Sequence, residues 1–152
     1  MSRHSYLIAL GSNHANPRRR LAALSLDGMV VMSRILTTAP LGPGKRRYAN
    51  AAALIESNLL PADLLAHLKS MERAHGRRNG RRWGDRSLDL DIIGWSGGIW
   101  ASRDLSIPHP AFRERRFVLA PLVEIVPGWR DPVTHLTARH LLVRLDRSRP
   151  RS

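Results

Sequence analysis

The chain has 152 residues, with 25 lysines and arginines against 12 acidic residues, a net charge of +13 and no cysteine. That length suits one domain, which buries about two thirds of its unfolded surface without covalent staples. The missing thiols exclude disulfides, thiolate metal sites and a cysteine nucleophile, while the charge favours phosphates, nucleic acid or an acidic membrane as partners.

The opening MSRHSYLIALGSN holds an apolar run from Tyr6 to Leu10. It is too short for a signal peptide or a membrane span, so a soluble, unprocessed, cytoplasmic protein is expected. Only Lys45 and Lys69 are lysines; arginine supplies the remaining 23 of the 25 basic residues. Its planar fork suits bidentate phosphate contacts, although a GC-rich genome would enrich arginine as well. No repeat, low-complexity block or linker divides the chain, and residues 1–152 read as a single domain.

In chain order, Ser5 to Leu10 reads as a buried strand that ends in a Gly11-Ser12-Asn13 turn. Asn16 and Pro17 open a short helix to Leu24, and the β-branched stretch Met29 to Leu36 reads as a second strand. A Pro- and Gly-rich loop, Thr38 to Gly44, leads to a third strand, Tyr48 to Ile55. Pro61 to Ala74 has apolar residues at Leu64, Leu65, Leu68 and Met71, a helical stripe that Gly76 closes. An arginine-rich loop, Gly76 to Arg86, precedes a fourth strand, Ser87 to Trp95, with Gly97-Gly98 expected to make a hairpin into Ile99 and Trp100. Helices are expected near Phe117 to Val126 and Ala138 to Leu145, with 146–152 as a frayed tail. The order βαββαβ predicts a ferredoxin-like α+β sandwich with a C-terminal helical extension.

The sharpest chemical feature is Leu88-Asp89-Leu90-Asp91-Ile92. On a strand, the leucines and the isoleucine face one way and the two carboxylates the other. Side by side, like charges repel, and a divalent cation relieves that repulsion. Mg²⁺ is commonly held by one or two carboxylates together with substrate phosphates and water. A solvated strand face is the other reading of the same pattern. The adjoining Arg77-Arg78-Asn79-Gly80-Arg81-Arg82-Trp83-Gly84-Asp85-Arg86 supplies cations for a nucleoside triphosphate, or for nucleic acid, or simply for solvent.

Arg82 through Ile92 closely resembles the signature R-W-G-P-R-[ST]-L-D-L-D-[IL] of the 6-hydroxymethyl-7,8-dihydropterin pyrophosphokinase family. Further blocks resemble that family in order: Tyr6 to Asn13, Thr38 to Gly42, Tyr48 to Ala51, Ile107 to Pro110 and Arg115 to Leu122. The resemblance implies a transferase of folate biosynthesis that moves pyrophosphate from ATP to the pterin hydroxymethyl group and releases AMP. It implies that Asp89 and Asp91 hold Mg²⁺, in two ions, with Asp91 a candidate for taking the hydroxyl proton. Arg82 and Arg86 join them as catalytic residues, with Arg82 and Trp83 closing over the site. ATP contacts fall to Glu72, Arg77, Trp83, Ile92, His109 and Arg115. Tyr48 and Phe117 match the residues that sandwich the pterin ring, though core packing is their plainer reading. Asn50 matches the amide that pairs with the ring's polar edge, which Thr38, Pro40 and Leu41 complete.

Asp85 departs from the signature's proline, and the arginine loop and the stretch from Asn13 to Val30 look short for the family. The small-molecule partners are ATP and the hydroxymethyl-dihydropterin, with no membrane, no specific nucleic acid and a monomeric chain expected. The alternative function is a nucleic-acid-binding ferredoxin-like module, which the net charge permits. A family member reduced to a binding partner is a third.

Overall fold

A computed structural model describes residues 3–13, 16–38, 48–76 and 88–148. The first strand, β1, runs from His4 to Ser12 and so continues through Gly11 and Ser12; the turn expected at those residues is strand instead. It continues because both neighbours extend that far: Gly11 pairs with Asn50 on one side and with Asp89 on the other. Helix α1 covers Pro17–Ala22, with Pro17 in its first turn; Asn16 occupies the N-cap position without a side-chain capping hydrogen bond.

The predicted strand from Met29 to Leu36 is two strands, β2 at Met29–Met32 and β3 at Leu36–Thr38. Both pair antiparallel with β4, Tyr48–Ser57. Met32 lies opposite Ala53 and Leu36 opposite Asn50, so four steps on one strand face three on the other. The extra residue makes a bulge. Ser33 holds it: its N–H donates to Ala52 O at 2.8 Å, and its Oγ accepts the Ala52 N–H at 2.9 Å and donates to Arg34 O. Glu124 fastens the bulge from the opposite layer, accepting from Arg34 N at 3.0 Å and from Arg34 Nε at 2.7 Å.

Helix α2 spans Pro61–Gly76. Leu64 and Leu68 of the predicted stripe are 2% and 1% exposed, each burial contributing roughly 1.5–3 kcal/mol. Strand β5, Leu88–Trp95, follows. The expected hairpin into Ile99 and Trp100 does not form. Gly98, at φ +94°, makes a tight turn back to Trp95 O at 2.9 Å. The chain that follows instead pairs Trp100–Ala101 (β6) with Ser106–Ile107 (β7). Part of the outer edge of β5 is already taken, because His109 N–H donates to Ile93 O at 3.1 Å. A 3₁₀ turn at Phe112–Glu114 leads into α3, Arg116–Ile125, and α4, Ala138–Ser148, closes the described chain. Asp146, Arg147 and Ser148 are thus helical, where a frayed tail was expected.

The main sheet runs β2-β4-β1-β5, with β3 beside β4. This is the antiparallel ferredoxin-like order predicted from the element string, with α3 and α4 added. Tyr6, Ile8, Leu10, Ala51, Ala53, Leu90 and Ile92 face a core with Leu21, Leu64 and Leu68. The opposite face, with Leu7, Ala52 and Ile93, packs on Phe112, Val118, Leu119, Leu122 and Leu141. Among the described residues no helix is long and apolar enough to cross a membrane.

Candidate active site

The site forms where α3 begins and stops covering the second face. Asn50, Gly11 and Asp89 make one row across β4, β1 and β5, and Ala52, Ala9 and Asp91 the next. The two small residues of β1 keep the middle of the floor low. A Cβ at Gly11 would sit 3.3 Å from Asn50 Oδ1 and 3.8 Å from the Tyr48 ring, so glycine leaves the amide and the ring room above it. One side of the resulting cleft carries Tyr48, Asn50 and Thr38, and the other Asp89 and Asp91. Arg115, Phe117 and Val118 close it from the start of α3, giving a volume of about 620 Å³. Tyr48 and Phe117 are 37% and 48% exposed, so both rings present area to the cleft rather than to a core. The Arg115 guanidinium lies 5.9 Å from the Phe117 ring centre.

Partial burial pushes the Asp89 carboxyl above its ordinary value, and the charges of Glu72 and Asp91 push it the same way, with Lys69 opposing. The acidic corner is therefore short of positive charge, which is the condition a bound cation relieves. No group of three or more His, Asp or Glu side chains suited to a metal forms among the described residues. A pair of carboxylates open to a cleft fits Mg²⁺, which fills its remaining positions with phosphate oxygens and water.

His109 is held beside this corner by its main chain on Ile93, and its Nδ1 accepts the Ala111 N–H at 3.1 Å. That bond leaves the proton of the neutral ring on Nε2. Burial lowers its pKa, Asp91 opposes and Arg115 adds to the lowering.

Seven of the expected site residues line this one cleft: Thr38, Tyr48, Asn50, Asp89, Asp91, Arg115 and Phe117. Glu72 lies near Asp89 but bonds to the protein, to Leu90 N at 2.7 Å and to Lys69 Nζ at 3.1 Å. The Ile92 side chain is 2% exposed in the core under the opposite face, as its alternation with the carboxylates requires. Only its backbone is left for a nucleotide. Pro40, Leu41, Arg77, Arg82, Trp83 and Arg86 lie outside the described residues. Ala9, Gly11 and Val118 also line the cleft and were not anticipated. For Ala9 and Gly11 the signal was the placing of small residues on the β1 face that alternates with Tyr6, Ile8 and Leu10.

Fold and cleft together define a class, a ferredoxin-like α+β protein with aromatic walls and paired carboxylates at an open end of its sheet. A family model described as 7,8-dihydro-6-hydroxymethylpterin-pyrophosphokinase (HPPK) matches residues 7–127. A 2-amino-4-hydroxy-6-hydroxymethyldihydropteridine pyrophosphokinase of Pseudomonas aeruginosa is 38% identical over 143 residues, covering 88% of this chain and 85% of that protein. Its counterpart in Haemophilus influenzae is 42% identical, covering 78% of this chain and 79% of its own. Among solved structures, the wild-type HPPK-DHPS of Plasmodium falciparum with pteroate superposes with a TM-score of 0.69 at 12% identity over 94% of this chain. That likeness is one of fold, and this chain spans 42% of that longer one. The chain belongs to the 7,8-dihydro-6-hydroxymethylpterin-pyrophosphokinase family.

Proposed function

We propose that this chain transfers a pyrophosphoryl group from ATP to 6-hydroxymethyl-7,8-dihydropterin, releasing AMP, as a Mg²⁺-dependent step of folate biosynthesis. One observation carries the reading: the carboxylate pair and the aromatic, amide-bearing wall share a single cleft. The cleft volume of about 620 Å³ falls in the range of small-molecule sites. The relatives' names favour this chemistry over the nucleic-acid alternative.

In the reaction, the pterin hydroxymethyl oxygen bonds to the β-phosphorus of ATP. The bond from that phosphorus to the bridging oxygen breaks, AMP leaves with the oxygen, and the hydroxyl gives up its proton, with Asp91 the candidate to take it. Asp89 and Asp91 are the residues that would hold the two Mg²⁺ ions. Bound there, Mg²⁺ would offset phosphate charge and lower the pKa of the attacking hydroxyl. Tyr48 and Phe117 stack on the ring, and the Asn50 amide, both donor and acceptor, matches its polar edge. Thr38, Pro40 and Leu41 complete that edge. Arg115 and the Nε2–H of His109 face the phosphates, with Arg77, Arg82 and Arg86 adding charge and Trp83 closing over them. Ile92 contributes its backbone. The proposal extends to a monomer in the cytoplasm, which sedimentation and cell fractionation check.

The test is AMP formation from ATP, Mg²⁺ and the pterin. Asp89→Ala and Asp91→Ala are each expected to slow it by at least about 10²-fold, the scale of losing transition-state charge stabilisation, while circular dichroism stays native. Folded parent protein that forms no AMP, or undiminished turnover in both variants, would remove the proposal.

A further inference from the structure

Among the described residues, strand β5 pairs with β1 on one side only, so its other side carries backbone groups that this sheet leaves unpaired. Leu90 lies on this edge, between the two cleft carboxylates. Its N–H donates to Glu72 Oε2 at 2.7 Å. The other Glu72 oxygen meets Lys69 Nζ at 3.1 Å, three residues earlier on α2. The Glu72 side chain is 16% exposed against 48% for Lys69, so the inner contact is sheltered and the outer one faces water. A third negative charge beside Asp89 does nothing to attract that carboxylate. What Glu72 grips is the main chain that carries it.

We propose that Glu72 is a positioning residue: steadied by Lys69, it anchors the Leu90 amide and thereby keeps Asp89 and Asp91 in register with Gly11 and Ala9 on the cleft face. The inference rests on the reading of the two aspartates as the Mg²⁺-holding pair, and it gives Glu72 a task other than touching ATP.

Two variants separate acceptor from charge. Glu72→Gln keeps an oxygen for the Leu90 N–H and loses the charge, whereas Glu72→Met loses both at similar length. Three quantities are read: amide hydrogen exchange at Leu90 in metal-free protein, the Mg²⁺ concentration for half-maximal AMP release, and the KM for ATP at saturating Mg²⁺. The glutamine variant is expected to keep Leu90 protected and its Mg²⁺ requirement within about threefold of the parent. The methionine variant is expected to lose that protection and to need about tenfold more Mg²⁺, the scale on which groups behind metal ligands act, with KM for ATP little changed. Unaltered Leu90 exchange in the methionine variant, a rise confined to KM for ATP, or equal failure of both variants would overturn the proposal. If Glu72→Met does not fold, Lys69→Met at the exposed end carries the test: faster Leu90 exchange supports the clamp and parental exchange overturns it. A parent that forms no AMP would defeat the proposed reaction and leave the exchange comparison intact.

Discussion

Asp131 is fully buried between α3 and α4. Burial on its own would raise its carboxyl, but hydrogen bonds from Arg113, the Val133 N–H and Thr134 outweigh it and hold the pKa at about 2, against an ordinary 3.8. Arg113 grips it in a fork, with Nη2 to Oδ1 at 2.8 Å, and Arg113 belongs to the 3₁₀ turn that Arg115 caps. A carboxyl lowered on folding adds stability above its unfolded pKa and gives it up as pH falls through the folded value. Asp131→Asn is therefore expected to cost about 3 kcal/mol at pH 7 by urea denaturation, the scale of breaking a buried pair. The gap to the parent should narrow as pH drops from about 4 through 2. Nothing in the sequence marked this residue. Arg113 is 18 positions away, and one acid among many arginines looks like any solvated charge. Asp89 and Asp91 were legible because the two-residue period of a strand is written into the chain itself. The same period put Ile92 on the other face, where it lies in the core.

At the scale of elements, strands and helices were legible where apolar spacing was clean, as in α2 and β5. Misjudged were the places where a side chain or a distant segment decides the backbone. The stretch from Met29 to Leu36 carries nothing against a continuous strand, yet Ser33 bonds to both sides of Ala52 and admits an extra residue. Ser33→Ala leaves the Ala52 N–H buried without that acceptor. It should lower the unfolding free energy by about 1–3 kcal/mol, seen in chemical denaturation, with the Mg²⁺ requirement of AMP release unchanged. Gly97-Gly98 announced a turn correctly. Where the chain went afterwards depended on His109 reaching Ile93 and on Trp95 meeting the Trp100 ring edge-on at 5.7 Å, contacts that no local pattern encodes. At Gly11 the sheet continues through a residue that reads as a turn former, since its lack of a side chain serves the cleft rather than a bend.

For the whole molecule, the net charge of +13 acts on ATP, a polyanion, far more than on a pterin without net charge. Raising ionic strength from about 0.05 to 0.5 M shrinks the screening length to a few ångströms. The KM for ATP is then expected to rise several-fold while the KM for the pterin holds nearly constant; equal changes in both would show that long-range attraction plays no part. The ferredoxin-like order was legible from the sequence of elements, and the cleft residues from their resemblance to family blocks. Which end of the sheet stays uncovered was not, because α3 sets that boundary from the last third of the chain. Phe117 sits near the start of α3 and Glu124 near its end, seven residues or about 10 Å along the same rod. Glu124 is bolted to Arg34 beside β3, and β3 carries Thr38 to the facing wall. The gap between the two walls is thus gauged by a strut behind it, so its width belongs to the frame as much as to the residues that line it.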